Sequence, residues 1–230
     1  MNAPQLPLAL RHPPDQRLAT LVGEAGRHAG LLAAVAEGRS GEWLYLRGPA
    51  ASGKTHALIG ACIAADGSGR RAAYVALSAQ GARGLAESAS GSALVAIDGI
   101  EAIAGDPEIE SALFALHNRL RADGASVLYA AREPPAQLPL QLPDLRSRLS
   151  QCTQLILRPP GECERRELLV ARAAARGLAL DEAVVEFLFR RVGRDLGTLT
   201  ALLDRIDRAS LAAQRRVTVP FVRGLLEVDR

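Results

Sequence analysis

The chain has 230 residues, of which 48% are hydrophobic and 23% charged, with a formal net charge of +3. That balance excludes a disordered or fibrous chain and leaves room for one sizeable domain, or a core with a small appended lid. The charge is too weak to argue for a nucleic-acid partner, and with aromatics at only 3% the core must be aliphatic.

Residues 1–16 are polar and carry Pro4, Pro7, Pro13 and Pro14, so an extended tail is expected. Within it, Gln5-Leu-Pro-Leu-Ala-Leu10 sets Leu6, Leu8 and Leu10 at alternate positions. Such leucines either tuck onto the domain or form a peptide for a partner's hydrophobic groove. Residues 17–38 carry a helical pattern that ends near Gly38.

Glu42-Trp-Leu-Tyr-Leu-Arg47 reads as a buried strand and His56 to Ala65 as a helix. Between them lies Gly48-Pro49-Ala50-Ala51-Ser52-Gly53-Lys54-Thr55, the G-x-x-x-x-G-K-T phosphate-binding pattern. The glycines permit a tight turn, and successive backbone N–H groups at a helix N-terminus form a cradle for phosphates. Lys54 suits the β- and γ-phosphates, and the Thr55 hydroxyl suits a magnesium ion. A chance glycine-rich turn would not place a strand before it and a Lys-Thr pair after it.

Residues 72–77 form the next predicted strand, and Ala93-Leu-Val-Ala-Ile-Asp98 the one after. The latter is a Walker B pattern, which delivers Asp98 beside the loop to complement Thr55 around magnesium. A helix over 106–122, with Pro107 in its first turn, precedes a strand over 126–131, a Pro-punctuated loop over 134–143 and a strand over 153–157. Alternating strands and helices predict an α/β fold with a parallel sheet flanked by helices. After Pro159-Pro160 only helices follow, over 162–176, 182–192 (Asp181 as N-cap), 195–214 and 221–228. The expected domains are a tail (1–16), a nucleotide-binding α/β domain (17–160) and a small C-terminal helical lid (161–230). No apolar run approaches a membrane span, and Cys62, Cys152 and Cys163 lack metal-ligand spacing. A cytoplasmic protein with reduced thiols and no membrane partner is expected.

A P-loop α/β domain with a helical lid resembles the AAA+ architecture. Three segments narrow the resemblance. Gln5 to Leu10 resembles a peptide for the bacterial sliding clamp. Asp144-Leu-Arg-Ser-Arg-Leu149 resembles the box VII segment of the DnaA family. Asp204-Arg-Ile-Asp-Arg-Ala-Ser210 with Val217-Thr-Val-Pro-Phe-Val222 is similar to the end of a regulatory DnaA homologue. The resemblance to the DnaA-homologous AAA+ family spans nearly the whole chain. It implies a protein that binds ADP or ATP with Mg, docks on the DNA polymerase sliding clamp through Gln5, Leu6, Leu8 and Leu10, and promotes ATP hydrolysis on DnaA, so that replication does not re-initiate. The sequence stops after the lid without the helix-turn-helix domain of DnaA, so no direct sequence-specific DNA binding is expected. Homo-oligomerisation is left open.

Several positions depart from an active AAA+ ATPase. Gly99 follows Asp98 where a second acid would orient water, with Glu101 too far along to be counted on as its substitute. The sensor position at the end of 126–131 falls on Ala131, followed by Arg132, and the lid arginine position falls on Gly197, with Arg194 one turn earlier. Binding with slow turnover is expected, as in a regulator rather than a motor. The resemblance further implies that one box VII arginine acts as a finger on a partner's ATP, and the motif falls best on Arg148 rather than Arg146. A trans finger is worth on the order of a thousandfold or more in rate. The bland alternative for both arginines is pairing with surface carboxylates. Competing functions are an AAA+ helicase loader, a small-molecule or nucleoside kinase, and a binding module in which the nucleotide is structural.

Overall fold

The computed structural model describes residues 16–77, 89–191, 196–213 and 216–227. Five strands, β1 (Leu44–Arg47), β2 (Ala72–Ala76), β3 (Leu94–Asp98), β4 (Ser126–Ala131) and β5 (Thr153–Ile156), form one sheet in the order β2-β3-β4-β1-β5. Every pairing is parallel. The register sets Arg47 opposite Ala131 and Asp98 opposite Ala130, so the C-terminal ends of β1, β3 and β4 share one edge. In open parallel sheets that edge is where ligands sit.

The strands are apolar on both faces because helices cover both. Leu44, Leu46, Leu94, Ala96, Leu128 and Ala130 face α2 (Ala29–Ala36) and α3 (Lys54–Gly67). The alanines at 57, 61 and 65 let α3 approach closely. Tyr45, Val95, Ile97, Val127 and Tyr129 face α4 (Pro107–Ala122) and α5 (Pro143–Ser150), which bury Leu113, Leu116, Leu120, Leu145 and Leu149. Each such leucine contributes roughly 1.5–3 kcal/mol of burial. Asp106 caps α4 by accepting from the backbone N–H of Glu108 (3.1 Å) and Ile109 (3.2 Å), with Pro107 at the first turn. Arg70 donates to the carbonyls of Val35 (2.9 Å), Ala36 (2.5 Å) and Ala93 (3.0 Å), closing the end of α2 onto the sheet. Trp43 lies edge-on to His117 (4.6 Å between centroids) and donates through Nε1 to Ala125 O (3.0 Å).

The single helix expected over 17–38 is corrected. Leu18–Thr20 is a 3-10 turn, Leu21 and Val22 are extended, and α1 (Gly23–Arg27) and α2 follow. Gly23 has φ +61, a left-handed conformation that breaks the helix, and an added Cβ would lie 3.1 Å from the Glu164 carboxylate. After β5 come α6 (Glu162–Ala175), α7 (Glu182–Arg191), α8 (Leu196–Ala213) and α9 (Val219–Glu227). They close on their own apolar cluster, including Leu169, Val184, Leu188, Leu203, Ile206 and Val222. Asp181 accepts from Val184 N–H at 2.8 Å and caps α7. Among the described residues no helix is long and apolar enough to cross a membrane.

Candidate nucleotide-binding site

The loop from Gly48 to Gly53 is built against the strand ends. Gly48 N–H donates to Ala131 O at 3.3 Å, and a Cβ added at Gly48 would lie 2.0 Å from the Leu157 carbonyl oxygen. No side chain fits there without parting the backbone. Ala51 (φ 61) and Gly53 (φ 90) turn the chain left-handed, curling it ahead of α3. α3 begins at Lys54 without a side-chain cap, so the N–H groups of its first turn are left for an anion. The Lys54 ammonium donates to Gly48 O (2.6 Å), Pro49 O (2.8 Å) and Ser52 Oγ (3.3 Å). Burial lowers its pKa, against the opposing fields of Glu101 and Asp98. An anion in the loop would compete for the same ammonium protons.

Asp98 lies across from the start of α3. Its Oδ2 accepts from Thr55 Oγ1 at 2.6 Å and from the Tyr74 hydroxyl at 3.0 Å. Burial, then the Asp98 carboxylate, raises the Tyr74 pKa, so the phenol stays a donor. Sequence reasoning missed Tyr74, which sits on β2, one strand over. A hydroxyl and a carboxylate in this contact fit a magnesium ion bound with a nucleotide, since both are hard oxygen donors. No group of three or more His, Cys, Asp or Glu among the described residues could hold a metal by itself. The three cysteines are free, with Cys62 and Cys152 buried.

Gly99 has φ +83 and turns the chain into a 3-10 helix over Ile100–Ala102. This turn carries Glu101 back to the cleft, a placement that strand geometry did not suggest. The Glu101 carboxylate pairs with Arg132 Nε (3.2 Å) and accepts from Arg132 N–H (3.3 Å). Ala131 is fully buried and brings no polar group.

Residues 50–56 with Asp98, Glu101 and Arg132 line a cleft of about 820 Å³ between the sheet edge and the lid. Leu21, Val22 and Ala25 supply an apolar wall, and Leu168, Arg172 and Ala201 approach from the lid. His56 Nε2 lies 3.0 Å from Arg17 O and 3.2 Å from Thr20 Oγ1, and its Nδ1 lies 3.5 Å from Arg172. It thereby joins the P-loop helix to the N-terminal segment and to the lid. Gly197 falls in the first turn of α8, and Arg194 lies outside the described residues. The cleft has the size of a small-molecule site, and its apolar wall and phosphate loop fit the two ends of a nucleotide.

The two arginines of the segment 144–149 differ. Arg146 on α5 is tied inward, donating to Leu140 O. Arg148 lies in the last turn of α5 and is half-buried, and its guanidinium has no hydrogen-bond or ion-pair partner among the described residues. Its charge reaches His117, which is buried against Trp43 and Tyr129. The tail residues Gln5, Leu6, Leu8 and Leu10 lie outside the described residues.

Comparison with known proteins adds what the chain is similar to. Residues 162–226 match the family model described as Hda, lid domain. Domain III of the replication initiation protein DnaA from Thermotoga maritima superposes with a TM-score of 0.75 at 20% identity, over 93% of this chain and 96% of that one. AMPPCP-bound DnaA from Aquifex aeolicus superposes at 0.67 and 19% identity, over 84% of this chain but only 65% of the DnaA chain. The RuvB Holliday junction branch migration motor of Thermotoga maritima gives 0.62 at 17% identity, over 93% of this chain and 72% of its own. The fold is thus the AAA+ fold in its DnaA-like form, with an Hda-type lid.

Proposed function

We propose that this chain, an Hda-like and DnaA-homologous protein, is a regulator of chromosome replication initiation that binds a nucleotide and stimulates ATP hydrolysis on DnaA. The observation that carries the reading is the joining of an Hda-type lid to a DnaA-type core whose phosphate loop is intact. The chain works in three parts, with a tail over 1–16, a nucleotide-binding domain over 17–160 and a lid over 161–230, in the cytoplasm.

In the nucleotide site, Gly48, Pro49, Ala50, Ala51, Ser52 and Gly53 hold the phosphates through their backbone. Lys54 neutralises them, and Thr55 with Asp98 holds a magnesium ion. Bound magnesium supplies charge neutralisation on the phosphates. Residue 99 is a glycine and Ala131 is apolar, so the chain lacks the acid and the sensor at the positions where AAA+ ATPases carry them. Glu101 enters the cleft already paired with Arg132. ADP or ATP therefore serves mainly to set the conformation, and hydrolysis by the protein itself is slow.

The tail residues Gln5, Leu6, Leu8 and Leu10 dock on the sliding clamp, which raises the local concentration of DnaA partners on DNA. Arg148 acts in trans on ATP held by DnaA. Its guanidinium has no partner within the described chain and presents a planar fork of donors to developing phosphate charge. Arg146 is committed to Leu140 and serves the fold. The test is stimulation of DnaA ATP hydrolysis in the presence of DNA-loaded clamp. Arg148→Ala should abolish it, and Arg148→Lys should restore little. Both should retain parental nucleotide affinity. Parental stimulation by Arg148→Ala would refute the assignment.

A further inference from the structure

α5, the helix that carries Arg148, has no side-chain cap at its N-terminus. Its N-cap is Leu142, and the loop before it contains Pro134, Pro135, Pro139 and Pro143. A short helix on such a loop needs an anchor, because its first N–H groups have no intrahelical acceptors. The anchor comes from another element. Glu110, in the first turn of α4, is fully buried although it carries a carboxylate.

Both its oxygens are used. Oε1 accepts from the backbone N–H of Gly105 (2.8 Å) and Gln141 (3.1 Å). Oε2 accepts from the backbone N–H of Gln141 (2.8 Å) and Leu142 (2.7 Å). The Gln141 side chain closes the ring by donating to Gly105 O at 2.9 Å. Buried carboxylates are uncommon unless fully paired, and hydrogen bonds to an ionised acceptor are about twice as strong as neutral ones. The negative charge also lies at the positive end of the α5 dipole. From that fixed start, Leu145 and Leu149 pin the inner face of α5 into the core and leave Arg148 on the next turn without a partner.

We propose that Glu110 is the positioning residue for Arg148: it caps α5 from α4 and holds the arginine at the angle from which it reaches a partner's phosphate. The inference rests on the reading of Arg148 given above. It adds that the finger's aim is set by a buried carboxylate 38 positions earlier in the chain, in no contact with substrate. The same carboxylate takes the Gly105 N–H, so the loop that follows the Asp98 strand is fastened to the arginine helix through one side chain.

Glu110→Gln keeps the size of the side chain but turns an NH₂ group towards N–H donors. We expect the maximal rate of stimulated hydrolysis on DnaA to fall by about tenfold or more, as small misplacements of a reacting group do. The DnaA concentration for half-maximal stimulation and the affinity for ADP should stay within about twofold. A wild-type rate for Glu110→Gln, with Arg148→Ala inactive, overturns this inference alone. If Arg148→Ala stimulates like the parent, the finger reading and this inference fall together. Hydrogen exchange on the unaltered full-length protein tests the cap without any variant. The amides of Gly105, Gln141 and Leu142 should be protected well beyond those of the neighbouring loop, and rapid exchange at all three overturns the proposal.

Discussion

Lowering the pH should unsettle this protein through one buried imidazole. His117 is 1% exposed, with Nδ1 3.0 Å from the Tyr129 hydroxyl, while Nε2 is buried with no hydrogen-bond partner. Burial, then the charges of Arg148 and Arg121, lowers its pKa from 6.5 to about 4. Between those values the unfolded chain binds a proton that the folded chain refuses, so stability falls as the pH drops through that window. Above 6.5 both states are neutral, and below about 4 both are protonated, so this group adds no slope outside it. At about 1.36 kcal/mol per pH unit, the loss from pH 6.5 to 5 is about 2 kcal/mol at most, with a ceiling of about 3.4 kcal/mol over the full window. Carboxylates add their own slopes, so the measurement is a difference. Urea unfolding of the parent and of His117→Phe, followed by circular dichroism from pH 7.5 to 4.5, isolates the histidine. The variant loses the Tyr129 hydrogen bond at every pH, a constant offset, and should lack the extra slope. Parallel curves for the two proteins would show that His117 is protonated in the fold, and the burial argument would be wrong.

Two further outcomes concern ligand and partner. Lys54→Ala should weaken ADP and ATP binding by calorimetry on the order of a hundredfold, as expected for a desolvated charge-assisted contact worth about 3 kcal/mol. The parent should bind the two nucleotides within a few-fold of each other, and a strong preference for ATP would contradict the slow-turnover reading. Replacing Gln5, Leu6, Leu8 and Leu10 together by Ala should abolish clamp binding in surface plasmon resonance while thermal stability stays put. Retained binding would move the clamp contact elsewhere.

The sheet was legible because its strands are short apolar runs bracketed by loop signals, and because the phosphate-loop pattern fixes a strand before it and a helix after it. Helix starts were legible where the cap is local in sequence, as at Asp106 and Asp181. Features made by distant residues were not. Tyr74 meets Asp98 from a neighbouring strand, and Glu110 meets Gln141 across 31 positions. Glu101 reaches the cleft only because Gly99 adopts a left-handed turn, which a strand-exit estimate cannot foresee. The N-terminal segment misled for another reason. Leu21, Val22 and Ala25 keep a helical spacing, yet they are apolar because they wall the cleft, and Gly23 breaks the helix that the spacing suggests.

Trp43 is the only tryptophan in the chain. Its indole is packed beside His117 at the N-terminal end of β1, whereas the phosphate loop leaves the other end, separated by four strand residues or roughly 13 Å of extended backbone. The molecule therefore carries an optical probe of its core that stands apart from its ligand. Intrinsic emission will register the opening of the α4 face during a melt and stay silent when the cleft fills. Stability can be read without a label in the presence of any nucleotide, whereas occupancy has to be followed by heat or by a fluorescent ligand.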